Sequence, residues 1–198
     1  MIAMPEATQP QKNTLMNEVR SLSGVEDACF AYQNPFTGYS GDNVSVPGED
    51  RQLFNIRDAY YVDEHYFNVF GIKIQEGSNF DPTLNSDAEM IVDRNFVKMM
   101  KNTAGWDDVL GREVMVTSHE AAPTRICGII DDMHTGGFSV AEVDFGGRPM
   151  GIFYCDSEKY AGMFHYIFVK YHRMSPEELK KTDELTGKIL DGQWHRVI

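Results

Sequence analysis

Asp131, Asp132 and His134 close the apolar segment 124–130 of this 198-residue chain. Two carboxylates and an imidazole at a strand end have the donors for a divalent metal, or for an acid and base in hydrolysis. The same residues could instead cap the strand and open a turn. No second acidic or histidine cluster of clear spacing completes a site, so a metal-dependent hydrolase is the weaker reading. Asp81, Thr83, Asn85, Asp87 and Glu89 alternate oxygen donors like the start of a calcium loop. An EF-hand needs glycine sixth and an acid twelfth. Ser86 and Val92 stand there, which predicts a solvated loop before a strand.

Other chemistry is excluded by motif. GxxxxGK[ST], GxGxxG, GxSxG and HExxH are all absent, and Gly187-Lys188 is followed by Ile. Cys29, Cys127 and Cys155 lie in apolar strand-like contexts without a CxxC, so they read as small buried hydrophobes. Tyr60, Tyr61, Tyr66, Phe67, Phe70 and Phe80 alternate as on a strand and then follow a helical face. Core packing explains them better than a stacking platform. Residue types and spacing thus predict no catalytic residues, no cofactor and no bound metal.

Charge narrows the partners. Lys plus Arg number 18 and Asp plus Glu 30, a net −12, so a nucleic-acid backbone would be repelled. Hydrophobic residues at 42% are too many for a disordered chain. No apolar run approaches the roughly 18 residues of a membrane span. Residues 1–10 also lack the basic start and apolar core of a signal peptide.

The elements that must position these side chains alternate between short helices and short strands. A helix is predicted over 13–22, with Leu15, Val19 and Leu22 on one face and Gly24 beyond its end. Strands follow at 25–33, 44–46 and 52–62, the last two a hairpin around the PGED turn. Asp63 caps a helix at 64–70 that Gly71 stops. Further strands fall at 72–74, 89–92, 113–116, 124–130, 151–155 and 164–171, with a helix at 94–101 and a glycine-rich loop at 135–149. Ser175-Pro176-Glu177-Glu178 opens the last helix as a capping box, with Glu177 facing Lys181 and Glu184 facing Lys188. Gly192 ends it. Such mixing predicts an α+β fold with a mainly antiparallel mixed sheet and short helices, not a doubly wound parallel sheet.

Residues 61–80, YVDEHYFNVFGIKIQEGSNF, resemble the signature region of the MacB-like periplasmic core domain found in FtsX/MacB-type ABC transporter permeases. The resemblance continues in order through Ile91-Val92 with Asn95, the DDVLG connection at 107–111, and RICGIIDDMH at 125–134. Upstream, Gly24-Val25-Glu26 follows a helix as in the family. Ser78, Asp131 and Met133 depart from the usual Arg, Lys and Phe.

The resemblance implies a core domain over 13–192, in two small subdomains, one porter-like. Residues 1–12 would be a flexible tail, and 193–198 would lead toward a missing membrane helix. It also implies a non-enzymatic extracytoplasmic domain on the outer face of a bacterial cytoplasmic membrane. Such a domain relays ATP-driven motion of its own transmembrane helices to an envelope substrate or partner. Expected partners are a cytoplasmic ABC ATPase subunit, an adaptor, peptide or lipoprotein in the periplasm, and a second copy in the full-length permease. Both chain ends should then leave from one side. The alternative from another class is a periplasmic ligand-binding module using the loop 32–39.

Overall fold

The structure is a computed structural model that describes residues 1–35, 41–56, 58–84, 88–117, 122–131, 149–156 and 163–196. In chain order the first elements are β1 (Ile2–Ala3), α1 (Gln9–Ser21), β2 (Val25–Ala31), β3 (Asp42–Ser45), β4 (Gln52–Ile56), β5 (Asp58–Val62) and α2 (Tyr66–Phe70). Next come β6 (Ile74–Gly77), β7 (Glu89–Asp93), α3 (Arg94–Ala104), β8 (Glu113–Val116) and β9 (Thr124–Ile130). The chain continues through β10 (Met150–Tyr154), β11 (Tyr166–Tyr171), α4 (Pro176–Leu190) and β12 (His195–Arg196). The architecture is α+β with a mostly antiparallel mixed sheet, as the alternation of short elements requires.

The chain divides into two compact units, each discontinuous. Unit 1 comprises Met1–Gln33, Val62–Ile72 and Cys155–Ile198; unit 2 comprises Asn34–Tyr61 and Lys73–Tyr154.

In unit 1 the strands run β12-β1-β11-β2, every neighbouring pair antiparallel. Val62 pairs with Ala31 at the other edge of β2. Leu15, Met16 and Val19 turn one face of α1 inward, and Tyr66 and Phe67 bury the start of α2. The Phe70 ring sits 5.0 Å from Phe168 and 4.6 Å from Tyr66. Gly71 ends α2 at φ 67, a left-handed conformation that glycine adopts without penalty.

In unit 2 the order is β10-β7-β9-β8-β3-β4, with β6 beside the far end of β9. Only the β7–β9 pair among these is parallel, and the connection between them contains α3 and β8. Phe96 and Met100 on α3 enter a core with Met90, Val92, Ile126 and Phe153. Asp93 fixes the start of α3 by accepting the Phe96 N–H at 2.8 Å, and the same oxygen accepts the Met150 N–H at 3.0 Å.

Several expectations need correction. Residues 1–12 are not a tail: Ile2 and Ala3 form β1, Met4 is fully buried, and α1 starts at Gln9. The apolar stretch Ile2-Ala3-Met4 adds to the β11 edge, and the Gln11 side chain accepts the Thr8 N–H at 3.0 Å to fix the earlier helix start. His195 and Arg196, expected in the other tail, pair with β1. The strand expected at 72–74 lies at 74–77, because its register is set by pairing with β9. Glu184 faces Lys180 at 3.6 Å, whereas the Glu177–Lys181 pair forms at 2.9 Å. The glycine-rich loop at 135–149 lies almost wholly outside the described residues.

Candidate functional site

Asp131 is exposed at the end of β9, where it accepts Gln75 Nε2–H at 2.8 Å and lies 3.8 Å from Arg94 Nε. Arg94 is also paired with Glu76. Asp131 therefore belongs to a surface ion-pair group, while Asp132 and His134 lie outside the described residues. Asp81 Oδ1 accepts both the N–H and the hydroxyl of Thr83, which closes a local turn and holds its carboxyl below the usual range. Glu89, expected to open the strand after that loop, does so in β7, where it is buried and paired with its β9 neighbour Arg125. Asn85 and Asp87 are outside the described residues. Among the described residues no three His, Cys, Asp or Glu side chains lie together as a metal site.

All three cysteines are free and buried. Burial pushes the Cys127 thiol up to about 11 and Cys29 well above its ordinary value, so neither is an activated nucleophile. A shallow cavity of about 300 Å³ lies against β3, β4 and β8, lined by Asn43, Ser45, Asp50, Gln52, Met115 and Thr117 among others. Its lining mixes polar and apolar side chains, with no aromatic ring among the described residues that form it. Residues 36–39 of the expected binding loop lie outside the described residues.

The two ends of the described chain meet in unit 1. Ile2 pairs with Arg196 and Ala3 with His195, antiparallel, so the start of β1 and the end of β12 lie side by side. Arg196 is tied to Asp183 of α4 at 2.6 Å, and Gln11 of α1 donates to the Ile189 carbonyl at 3.3 Å. The first and last helices thus brace the paired chain ends. Among the described residues no helix is long and apolar enough to cross a membrane.

The signature segment supplies a second feature. Asp63 is wholly buried. Its Oδ2 accepts the Phe30 N–H at 2.9 Å, its Oδ1 accepts the His65 N–H at 3.1 Å, and Arg20 of α1 reaches Oδ2 at 3.3 Å. Burial pushes its pKa up to about 7, against the pull of the Phe30 amide and Arg20. Alongside, His65 Nδ1 lies 2.9 Å from Asp27 Oδ1, and Asn68 donates to the other Asp27 oxygen. Burial opposes the Asp27 charge, but Asn68, the Ala28 N–H and His65 outweigh it and hold this carboxyl below its ordinary range. Asp63 was expected to cap a helix at 64–70, but α2 starts at Tyr66 with His65 at its N-cap and no side-chain cap bond; burial has drawn Asp63 into this cluster, where it holds the His65 N–H just ahead of the helix. Its spacing from His65 was visible in sequence; the pairing with Phe30 and Arg20 was not, because those residues come from distant segments.

A scan against protein-family models finds no match, and neither does a search of curated proteins. Solved structures do match. The periplasmic region of MacB from Actinobacillus actinomycetemcomitans aligns with TM-score 0.59 at 17% identity, over 98% of this chain and 85% of that one. The fold is that of the MacB periplasmic region. The extracellular domain of the noncanonic ABC-type transporter YknZ from Gram-positive bacteria shares it, at TM-score 0.59 and 13% identity over 98% of this chain and 90% of that one. A domain of a putative permease protein from Porphyromonas gingivalis does so at TM-score 0.57 and 15% identity, over 94% and 70% respectively. The MacB-like fold therefore spans nearly the whole chain, as the ordered motifs around Asp63, Gly111 and Gly128 led one to expect.

Proposed function

We propose that this chain is the extracytoplasmic domain of a bacterial ABC-type permease. It relays motion of flanking membrane helices to an envelope substrate or partner and makes no bonds itself. A cytoplasmic ATPase supplies the energy. The observation that carries the reading is the pairing of β1 with β12 within a MacB-like fold. Two membrane helices entering one bilayer need chain ends that emerge together, and here the ends are hydrogen-bonded neighbours braced by α1 and α4. The MacB-like fold, the paired ends and the bracing of α1 against α4 support a transmitting element.

The test uses the parent polypeptide in intact cells. Glu18→Cys places a thiol on the exposed face of α1, while the native cysteines stay buried. A membrane-impermeant maleimide is expected to label it without breaching the cytoplasmic membrane. With a co-purified ATPase, removal of the domain is expected to abolish transport while ATP hydrolysis remains measurable. Labelling only after lysis, or a parent without membrane spans on both sides of this segment, would sink the reading.

A further inference from the structure

Asp63 stands where three elements of unit 1 meet, with its carboxyl shut off from solvent. Two of its contacts are main-chain amides, Phe30 on β2 and His65 at the start of α2. The third is Arg20 near the end of α1, which also donates Nε–H at 3.0 Å and Nη2–H at 2.6 Å to the Ala28 carbonyl oxygen. The guanidinium thus bridges one permanent acceptor and one titratable acceptor.

The other titratable groups around Asp63 come from each neighbouring element. Cys29 on β2 lies near it, but burial raises that thiol so far that it stays neutral. Glu64 and His65 flank Asp63 on its own segment, and Glu64 opposes its charge. Asp27 on β2 reaches the cluster through His65. On β11, Lys170 is occupied by Glu26 at 2.7 Å and by the Asn68 carbonyl at 3.2 Å.

We propose that Asp63 and Arg20 form a proton-operated clasp on α1. As a carboxylate, Asp63 ties the end of α1 to β2 and to the start of α2. Once protonated, it keeps its amide bonds but no longer holds the cation, and Arg20 rests on Ala28 alone. Asp63 is placed to change state near neutrality, since its pKa is pushed up to about 7. Acidity around the domain would then set how firmly α1 is held. This goes beyond the relay reading and is measured on the isolated 198-residue chain, so either can fail without the other.

The experiment is a carboxyl ¹³C NMR titration from about pH 4 to about pH 9 that follows Asp63 and the signal of Arg20 Nη2–H, the group that reaches its carboxyl, together. Asp63→Asn assigns the carboxyl resonance by its loss. Both signals are expected to move with one midpoint near pH 7. In Arg20→Gln the Asp63 midpoint should rise, because a cation that favours the charged form is gone. If Asp63→Asn does not fold, the resonance displaced in Arg20→Gln provides the assignment. A midpoint below about pH 5, an Arg20 signal that stays still, or an Asp63 midpoint untouched by Arg20→Gln would each overturn the clasp.

Discussion

In unit 1, α1 is fastened by cations. Lys12, almost wholly buried, donates to the Phe164 carbonyl near one end, and Arg20 grips Ala28 and Asp63 near the other. Unit 2 treats its helix differently. There α3 sinks Phe96 and Met100 into an apolar core and is oriented by the Asp93 cap. The contrast is between a helix whose apolar face is supplemented by cationic straps at both ends and one held by packed volume and a cap. Ionic straps respond to protons and to the loss of one partner, since a buried unpaired charge costs several kcal/mol. Packed volume responds to cavities.

The sharpest way to break this contrast is Phe96→Ala, expected to cost about 3–5 kcal/mol through lost transfer energy and a cavity. The two tryptophans allow each unit to be followed: Trp106 lies in unit 2 and Trp194 in unit 1. In urea melts of single-tryptophan variants, the Trp106 midpoint should fall more than the Trp194 midpoint. Equal shifts would show one cooperative block and erase the distinction.

Two glycines come next. Gly77 has φ 78, and a β-carbon there would run into the Cys127 carbonyl, so Gly77→Val should cost roughly 2–5 kcal/mol. Gly71 has φ 67 with open space around it. Gly71→Val should therefore cost only the backbone conformation, about 1–2 kcal/mol. Equal losses in urea melts would mean that crowding at β9 contributes nothing. Asp93→Ala, which strands the N–H groups of Phe96 and Met150, should cost about 1–3 kcal/mol in the same assay.

The pH dependence is smaller per step. The Asp63 pKa of about 7 stands above its ordinary 3.8, so the folded chain keeps a proton that the unfolded chain has lost. Stability from this group is full below about pH 4 and is lost as pH rises through 7, by at most about 1.4 kcal/mol per pH unit. Calorimetry should show that Asp63→Asn flattens this slope. Asp27 works in the opposite direction and in another window: its depressed pKa gives stability that disappears in acid. The smallest effect is expected from Lys181→Ala, which removes one exposed pair of α4 and should leave the urea midpoint nearly unchanged.

Local order was readable where local chemistry sets it. Ser175 accepts the Glu178 N–H at 3.3 Å at the head of α4, Gly71 ends α2, and the hairpin of β3 and β4 turns where Pro47-Gly48 stand. The reading missed the Thr8-to-Gln11 cap, although its spacing was present. It could not find β1 and β12. A two-residue strand has no periodicity, and its partner stands more than 190 positions away in a 198-residue chain. The parallel register of β7 and β9 was hidden too, since a buried strand has the same apolar run in either direction.

What the sequence determined by itself was the alternation of short helices and strands, the burial of Tyr60, Tyr66, Phe67, Phe80 and the cysteines, and the ordered motifs of a MacB-like fold. Those depend on residue type and on neighbours a few positions away. The tertiary structure decided that two discontinuous units share the chain, that its ends pair, and that Asp63 meets Arg20. Those contacts join segments far apart in sequence, and their energies exist only once burial removes water from around them.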